Sequence, residues 1–318
     1  MLRSAIQRVP ARFVYNTGTP VSFLAKEGTD IQQDLVYEGV EVGAAGLGLT
    51  DKRDKELHYR LSFTPDGRLT AAIAAALYPY GNPVVGTGIF TDTDITGSVH
   101  GQDGSLDTYT SVALEKMPEM YFHPEKTLLG PCGWLAIRGS GDDWSAANSL
   151  VTQANTGGTF ADPAFTNAGI ITQNYTLTWG GVTGFATATD FYDGLTFQPS
   201  VTFEDDTPAR YGLYNKRIKT VGGIVRGIPL GQTRQNILAA LYAQGTGAAR
   251  GGSRAANGAT LTLTGADSST PLILYGAALM DQKQAWGITN LRQGEIAWLA
   301  TPTLTAGVRG AYFAVAAA

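Results

Sequence analysis

Cysteine is nearly missing from this chain. Cys132 stands alone among 318 residues, so no disulfide framework can form, and the expectation is a protein suited to a reducing compartment. Histidine is almost as scarce. His58, His100 and His123 show no metal-ligand spacing with one another or with Cys132, which leaves no pattern for a zinc centre. Charged residues make up 16% of the chain, lysine is sparse and the net charge is −4. That balance argues against a protein that grips nucleic acid by its phosphates. Long apolar runs are missing too. The longest, around 71–80, is too short to span a bilayer, and residues 1–10 lack the apolar run of a signal peptide.

Sequence signatures of catalysis are also wanting. There is no Gly-x-Ser-x-Gly elbow and no Walker loop. Gly245-x-Gly247 with Gly251 and Gly252 misses the dinucleotide fingerprint, and it follows a predicted helix where that fingerprint needs a strand. Gly139-Ser-Gly-Asp-Asp143 begins like a calcium loop but lacks the remaining oxygen ligands and the closing glutamate. The expectation is a non-enzymatic protein with no metal and no cofactor.

What the chain does have is glycine, at 40 residues, with abundant valine, threonine and aromatics, a composition that suits strands and turns. It also has a repeat. Gly67-Arg-Leu-Thr-Ala-Ala-Ile-Ala-Ala-Ala-Leu-Tyr-Pro-Tyr-Gly81 returns as Gly231-Gln-Thr-Arg-Gln-Asn-Ile-Leu-Ala-Ala-Leu-Tyr-Ala-Gln-Gly245. Each reads as a short amphipathic helix closed by glycine, near 68–78 and 232–243. Ile73, Leu77 and Tyr78 are the expected packing residues of the first, and Ile237, Leu241 and Tyr242 of the second.

The same shift of 164 carries Lys52-Arg53-x-Lys55 onto Lys216-Arg217-x-Lys219, and Gly130-x-x-x-Trp134-Leu-Ala onto Gly294-x-x-x-Trp298-Leu-Ala. Roughly 21 identities fall in about 86 positions from 51 to 136, several times the chance level. Upstream, Tyr37-Glu-Gly39 matches Tyr192-Asp-Gly194 at a shift of 155, which implies about nine extra residues near 195–214. The chain reads as a tandem duplication: an arm at 1–14, a domain at 15–153, a linker at 154–171 and a second domain at 172–318. Each half is expected to be mainly β, an antiparallel sandwich or partial barrel with one flanking helix. Asp51-Lys-Arg-Asp-Lys-Glu56 reads as a solvated hairpin tip, or, since it repeats, as a tip that touches another subunit. Trp134 and Trp298 are expected strand-packing residues.

This order of strands, charged loop, strand, mid-domain helix ending Ala-Leu-Tyr and Gly-x-x-x-Trp-Leu-Ala strand resembles the major tail tube proteins of long-tailed bacteriophages. Phe122-His-Pro-Glu-Lys-Thr-Leu-Leu-Gly130 is similar to a Pro-x-Lys-Thr-Leu-x-Gly segment of such proteins. The resemblance covers both halves. It implies a virion protein assembled in the host cytoplasm, three chains closing a pseudo-sixfold ring, and rings stacking into a tube through which DNA passes. Its partners would be itself and the terminator, distal tail and tape measure proteins, with no membrane. Lys52, Arg53, Lys55, Lys216, Arg217 and Lys219 are then candidate contacts between rings. Two other readings stay open: an inner tube or distal ring of a related particle, and a ligand- or carbohydrate-binding β-sandwich.

Overall fold

The computed structural model describes residues 11–45, 47–91, 93–123, 129–138, 150–155, 175–182, 184–208, 212–230, 236, 258–265, 269–282, 294–302, 304–305 and 308–317. For 38, 40, 52–56, 155, 281–282, 304–305 and 308–309 it describes the backbone alone. The first half holds β1 (Ala11–Asn16), β2 (Pro20–Leu24), β3 (Gln32–Ala44), β4 (Gly48–Phe63), the helix α1 (Ala71–Leu77), β5 (Thr96–Gly101), β6 (Ser105–Tyr109), β7 (Ser111–Lys116), β8 (Met120–Phe122), β9 (Cys132–Ile137) and β10 (Val151–Asn155). The second holds β11 (Tyr175–Trp179), β12 (Phe191–Asp206), β13 (Asn215–Pro229), β14 (Ala259–Gly265), β15 (Leu272–Gln282), β16 (Ile296–Leu299), β17 (Leu304–Thr305), β18 (Val308–Arg309) and β19 (Phe313–Val315). The fold is mainly β, as composition and turn spacing imply, and its strand pairings are antiparallel.

The first half makes two sheets, ordered β10-β6-β5-β1-β2 and β3-β4-β9-β7. Trp134 of β9 is the joint between them. Its ring lies 4.6 Å from Tyr15 and 5.1 Å from Phe13, both on β1. In the second half the matching strands run together as β11-β14-β15-β16-β13-β12, because β15 crosses from one sheet to the other. β6 and β7, its counterparts, are broken at Thr110. β15 bends through Gly276 instead, at φ +56, where a Cβ would meet the Thr301 carbonyl. Only glycine satisfies both demands.

Strand register shows the duplication better than identity does. Ala11 faces Gly101 and Tyr175 faces Gly265; Leu61 faces Trp134 and Val225 faces Trp298, every partner displaced by 164. The aromatic joint repeats with them, Trp179 standing to Trp298 as Tyr15 does to Trp134. Two readings of the sequence are corrected here. Leu35 faces Tyr59 and Pro199 faces Gly223, so β3 and β12 also correspond at 164. The match of Tyr37-Glu-Gly39 to Tyr192-Asp-Gly194 at 155 is coincidental, and the segment near 195–214 contains no insertion. The arm at 1–14 is also too long, since β1 starts at Ala11 and pairs with both β2 and β5.

Helix α1 begins one turn later than its flanking glycine suggests. Thr70 caps it, its hydroxyl accepting from the Ile73 amide, and Ile73, Ala74 and Leu77 are its buried face against β2. Of the second helix, Asn236 is helical; Ile237, Leu241 and Tyr242 lie outside the described residues.

Candidate assembly interface

The charged segment 51–56 is not a hairpin tip. β3 and β4 form a hairpin whose last pair is Ala44–Gly48, and 51–56 lie within β4 on the way back. Tight mixed charge suggested a turn, but the ladder continues through it with a bulge at Lys55 between the Glu38–Glu56 and Gly39–Asp54 pairs. The β12–β13 hairpin repeats that bulge at Lys219, between Thr202–Thr220 and Phe203–Ile218. Lys52 thus occupies on β4 the place that Lys216 occupies on β13, opposite Glu41 and Asp205 respectively.

The two hairpins meet different surroundings. The first half packs on the second through three seams, two of them on β12–β13. β8 pairs with the start of β12, Phe122 facing Leu195 and Met120 facing Phe197. The loop after α1 runs along β13: the Gly86 amide donates to the Ile218 carbonyl at 2.8 Å, and the Ile89 amide to that of Lys216 at 2.9 Å. Asn215 closes this seam, its side chain accepting from the Phe90 amide at 3.1 Å and donating to the Phe90 carbonyl at 3.0 Å. The third seam is the Gly81 carbonyl, which accepts from Tyr312 at 2.8 Å. Tyr78 and Tyr80 at the end of α1 cover Phe197 and Phe203, at 6.4 and 5.7 Å.

Lys216 is the electrostatic centre of this contact. It is 8% exposed, and its ammonium reaches Asp205 of its own hairpin at 2.7 Å and Glu115 of the first half at 3.2 Å. Burial alone lowers its pKa; the bond to Asp205 and the Glu115 charge outweigh that and hold it above the ordinary lysine value. Arg217 pairs with Asp206 at 2.8 Å across the same hairpin. Lys216 and Arg217 are therefore engaged within the chain, and Lys219 is exposed at its bulge. Of Lys52, Arg53 and Lys55 the backbone is described. Sequence reasoning missed Glu115 and Asn215, because no motif marks a residue whose partner is about a hundred positions away.

Trp134 and Trp298 are fully buried, as their strands imply. Cys132 is buried beside Phe63, and desolvation pushes its thiol up to about 12. Among the described residues no group of three His, Cys, Asp or Glu could hold a metal ion, and no helix is long and apolar enough to cross a membrane. A cavity of about 330 Å³ lies between α1 and β1–β2, lined by Tyr15, Val21, Ala72, Ala76, Tyr80 and Leu114 among others, with hydroxyls as its only polar side-chain groups. No protein-family model matches the chain, and no curated protein matches it in sequence.

Proposed function

We propose that this protein is the structural subunit of a bacteriophage tail tube, closing into rings that stack into a conduit for DNA. One observation carries the reading: two domains of identical strand register are joined so that a strand of the first completes the sheet of the second. Such a contact is heterologous, one surface meeting a different one. Repeated from molecule to molecule it generates closed rings or filaments, never a simple twofold dimer. Three chains would place six similar domains around a ring. The net charge of −4 suits a channel that DNA traverses without sticking, since basic groups facing DNA would hold it. In this reading the site of action is the virion tail.

Electron microscopy of the purified full-length protein is the direct test. The expected result is hollow tubes or threefold rings. Uniform monomers that bind a small apolar ligand in the cavity beside α1 would instead make this a ligand-binding protein.

A further inference from the structure

The duplication supplies its own control for the cavity beside α1. Tyr15 and Val21 line it in the first half, and they face each other across β1 and β2. Trp179 and Phe185 stand 164 residues further on and are paired in the same way, the Trp179 amide donating to the Phe185 carbonyl at 2.7 Å. Where the second half has two large rings, the first has a smaller ring, a valine and a space of about 330 Å³. We infer that this space is a binding site for a small uncharged aromatic molecule of the indole or phenol class, which does for the first half what Trp179 and Phe185 do for the second. The inference goes beyond the structural role argued above and does not depend on it.

The second half shows what the place demands. Trp179 and Phe185 are 0% and 1% exposed, and both rings meet Trp298, at 6.0 and 5.8 Å. The Trp179 ring N–H is satisfied as well, donating to the Ala277 carbonyl at 2.9 Å. In the first half Tyr15 keeps its place against Trp134 at 4.6 Å, while Val21 fills less of the space that a phenylalanine takes. The opposite wall is α1, which lends Ala72, Ala75 and Ala76 to the cavity and keeps Ile73 and Leu77 for the core. Alanine at each of these positions leaves room that a longer side chain would occupy.

The lining sets the ligand class. None of the described residues that line the cavity carries a charge, so an ion moved there would lose its hydration without gaining a counter-charge. Water is a poor filler between walls of alanine, valine, proline and leucine, because a held water needs about two to four polar partners. The Tyr80 hydroxyl donates to the Leu114 carbonyl at 2.5 Å, and its oxygen can still accept. Burial raises the pKa of both Tyr15 and Tyr80, which keeps both phenols protonated at neutral pH. A planar ring with one N–H or O–H matches this lining, its faces on alanine and valine and its donor on a hydroxyl oxygen. The volume agrees, at the low end of the roughly 300–1,000 Å³ that ligand pockets span. The occupant also reaches the seam between the halves. Ile89 lines the cavity while its amide donates to the Lys216 carbonyl at 2.9 Å, and Tyr80 packs on Phe203 at 5.7 Å. A bound ring thus braces the loop that lays one half on the other.

The test is calorimetric titration of dilute full-length protein with indole, beside indole-3-acetate as the charged control. The expected result is one indole per chain, an unfolding midpoint that rises with indole concentration, and no saturable binding of indole-3-acetate. Val21→Phe installs the residue of the second half, and Ala76→Leu narrows the cavity from the helix side. Each is expected to weaken indole binding at least about tenfold, since ring and new side chain compete for one volume. Each is also expected to hold the unliganded unfolding midpoint at or above the parent's, as cavity filling does. Should Val21→Phe fail to fold, Ala76→Leu decides alone. A parent that takes no indole overturns the inference and leaves the cavity to a protein side chain. Binding that the folded variants retain in full also overturns it, because indole then sits elsewhere. Equal binding of indole-3-acetate overturns the ligand class. Tubes that bind no indole remove this inference alone, whereas uniform monomers that bind it keep the inference and remove the tube.

Discussion

The hairpins β3–β4 and β12–β13 have one backbone and two fates. Register and the bulge at Lys55 and Lys219 coincide, yet the end of α1, the loop after it and β8 cover the second hairpin, while Leu35 and Tyr37 of the first are exposed. Backbone pairing is thus a local property that survives duplication. Burial is set by what stands alongside. Side chains have diverged to match: Phe197 against Gln33, Ile218 against Asp54, Asn215 against Asp51. An asparagine can both donate and accept along the Phe90 backbone, whereas an aspartate can only accept.

The comparison can be broken most forcefully where the halves should agree. Trp134→Ala and Trp298→Ala each remove a fully buried joint between sheets, and each is expected to cost about 3–5 kcal/mol. Unequal losses of urea stability would mean that the two cores are not equivalent. A difference should emerge next. Gly194 lies at φ +76, where a Cβ would run into the Phe122 carbonyl oxygen, while its counterpart Asp30 carries an exposed side chain. Gly194→Ala is expected to cost about 1–3 kcal/mol and Asp30→Ala less than about 0.5 kcal/mol, measured by thermal unfolding.

Lys216 sharpens the same contrast through charge. Lys216→Met removes the buried ammonium that bridges Asp205 and Glu115, leaving Glu115 to Arg60 and Asp205 to water, and is expected to cost about 1–3 kcal/mol at neutral pH. Lys52→Met, in a dilute single chain, should change stability by less than about 0.5 kcal/mol. Because the folded pKa of Lys216 is raised from 10.5, its contribution is present below that pH and disappears as pH climbs through the higher folded value. Parent and Lys216→Met should converge in an alkaline titration; Lys52→Met should track the parent throughout. The smallest effect concerns Cys132, whose counterpart is the equally buried Ile296. With its thiol pushed from 9.0 to about 12, it should resist a thiol reagent at pH 8 until the chain is unfolded. Prompt labelling of native protein would show that the two strands are not packed alike.

Much of this was legible in the sequence, and the misses share a cause. The β class, the first helix, the duplication and the matched tryptophans follow from spacing and composition, because core positions change slowly in chemistry. The correspondence of β1 with β11 escaped notice: Ala-Arg-Phe-Val-Tyr and Tyr-Thr-Leu-Thr-Trp share their alternation and aromatic end but not one identity. Between β3 and β12, different neighbours erased the true alignment and let a three-residue coincidence stand in for it. The charged segment misled for a related reason. Six charges in a row suggest water on all sides, yet a β-strand with open faces offers the same. The interface could not be read from local pattern, since Glu115 and Lys216 acquire meaning only when the fold brings them together.

One consequence of β8 concerns time. The chain grows from its first residue, so Met120–Phe122 is made before Leu195–Phe197, the segment it pairs with. Some 75 residues separate Met120 from Leu195, and at roughly 5–20 residues per second their synthesis takes about 4–15 s. During that interval the newborn first half carries a strand with no acceptor and Phe122 with no cover. Nascent chains on one messenger lie close together, each with β8 still waiting for its own β12. The order of synthesis thus gives neighbouring molecules a head start on strand exchange, before either can seal the seam within itself.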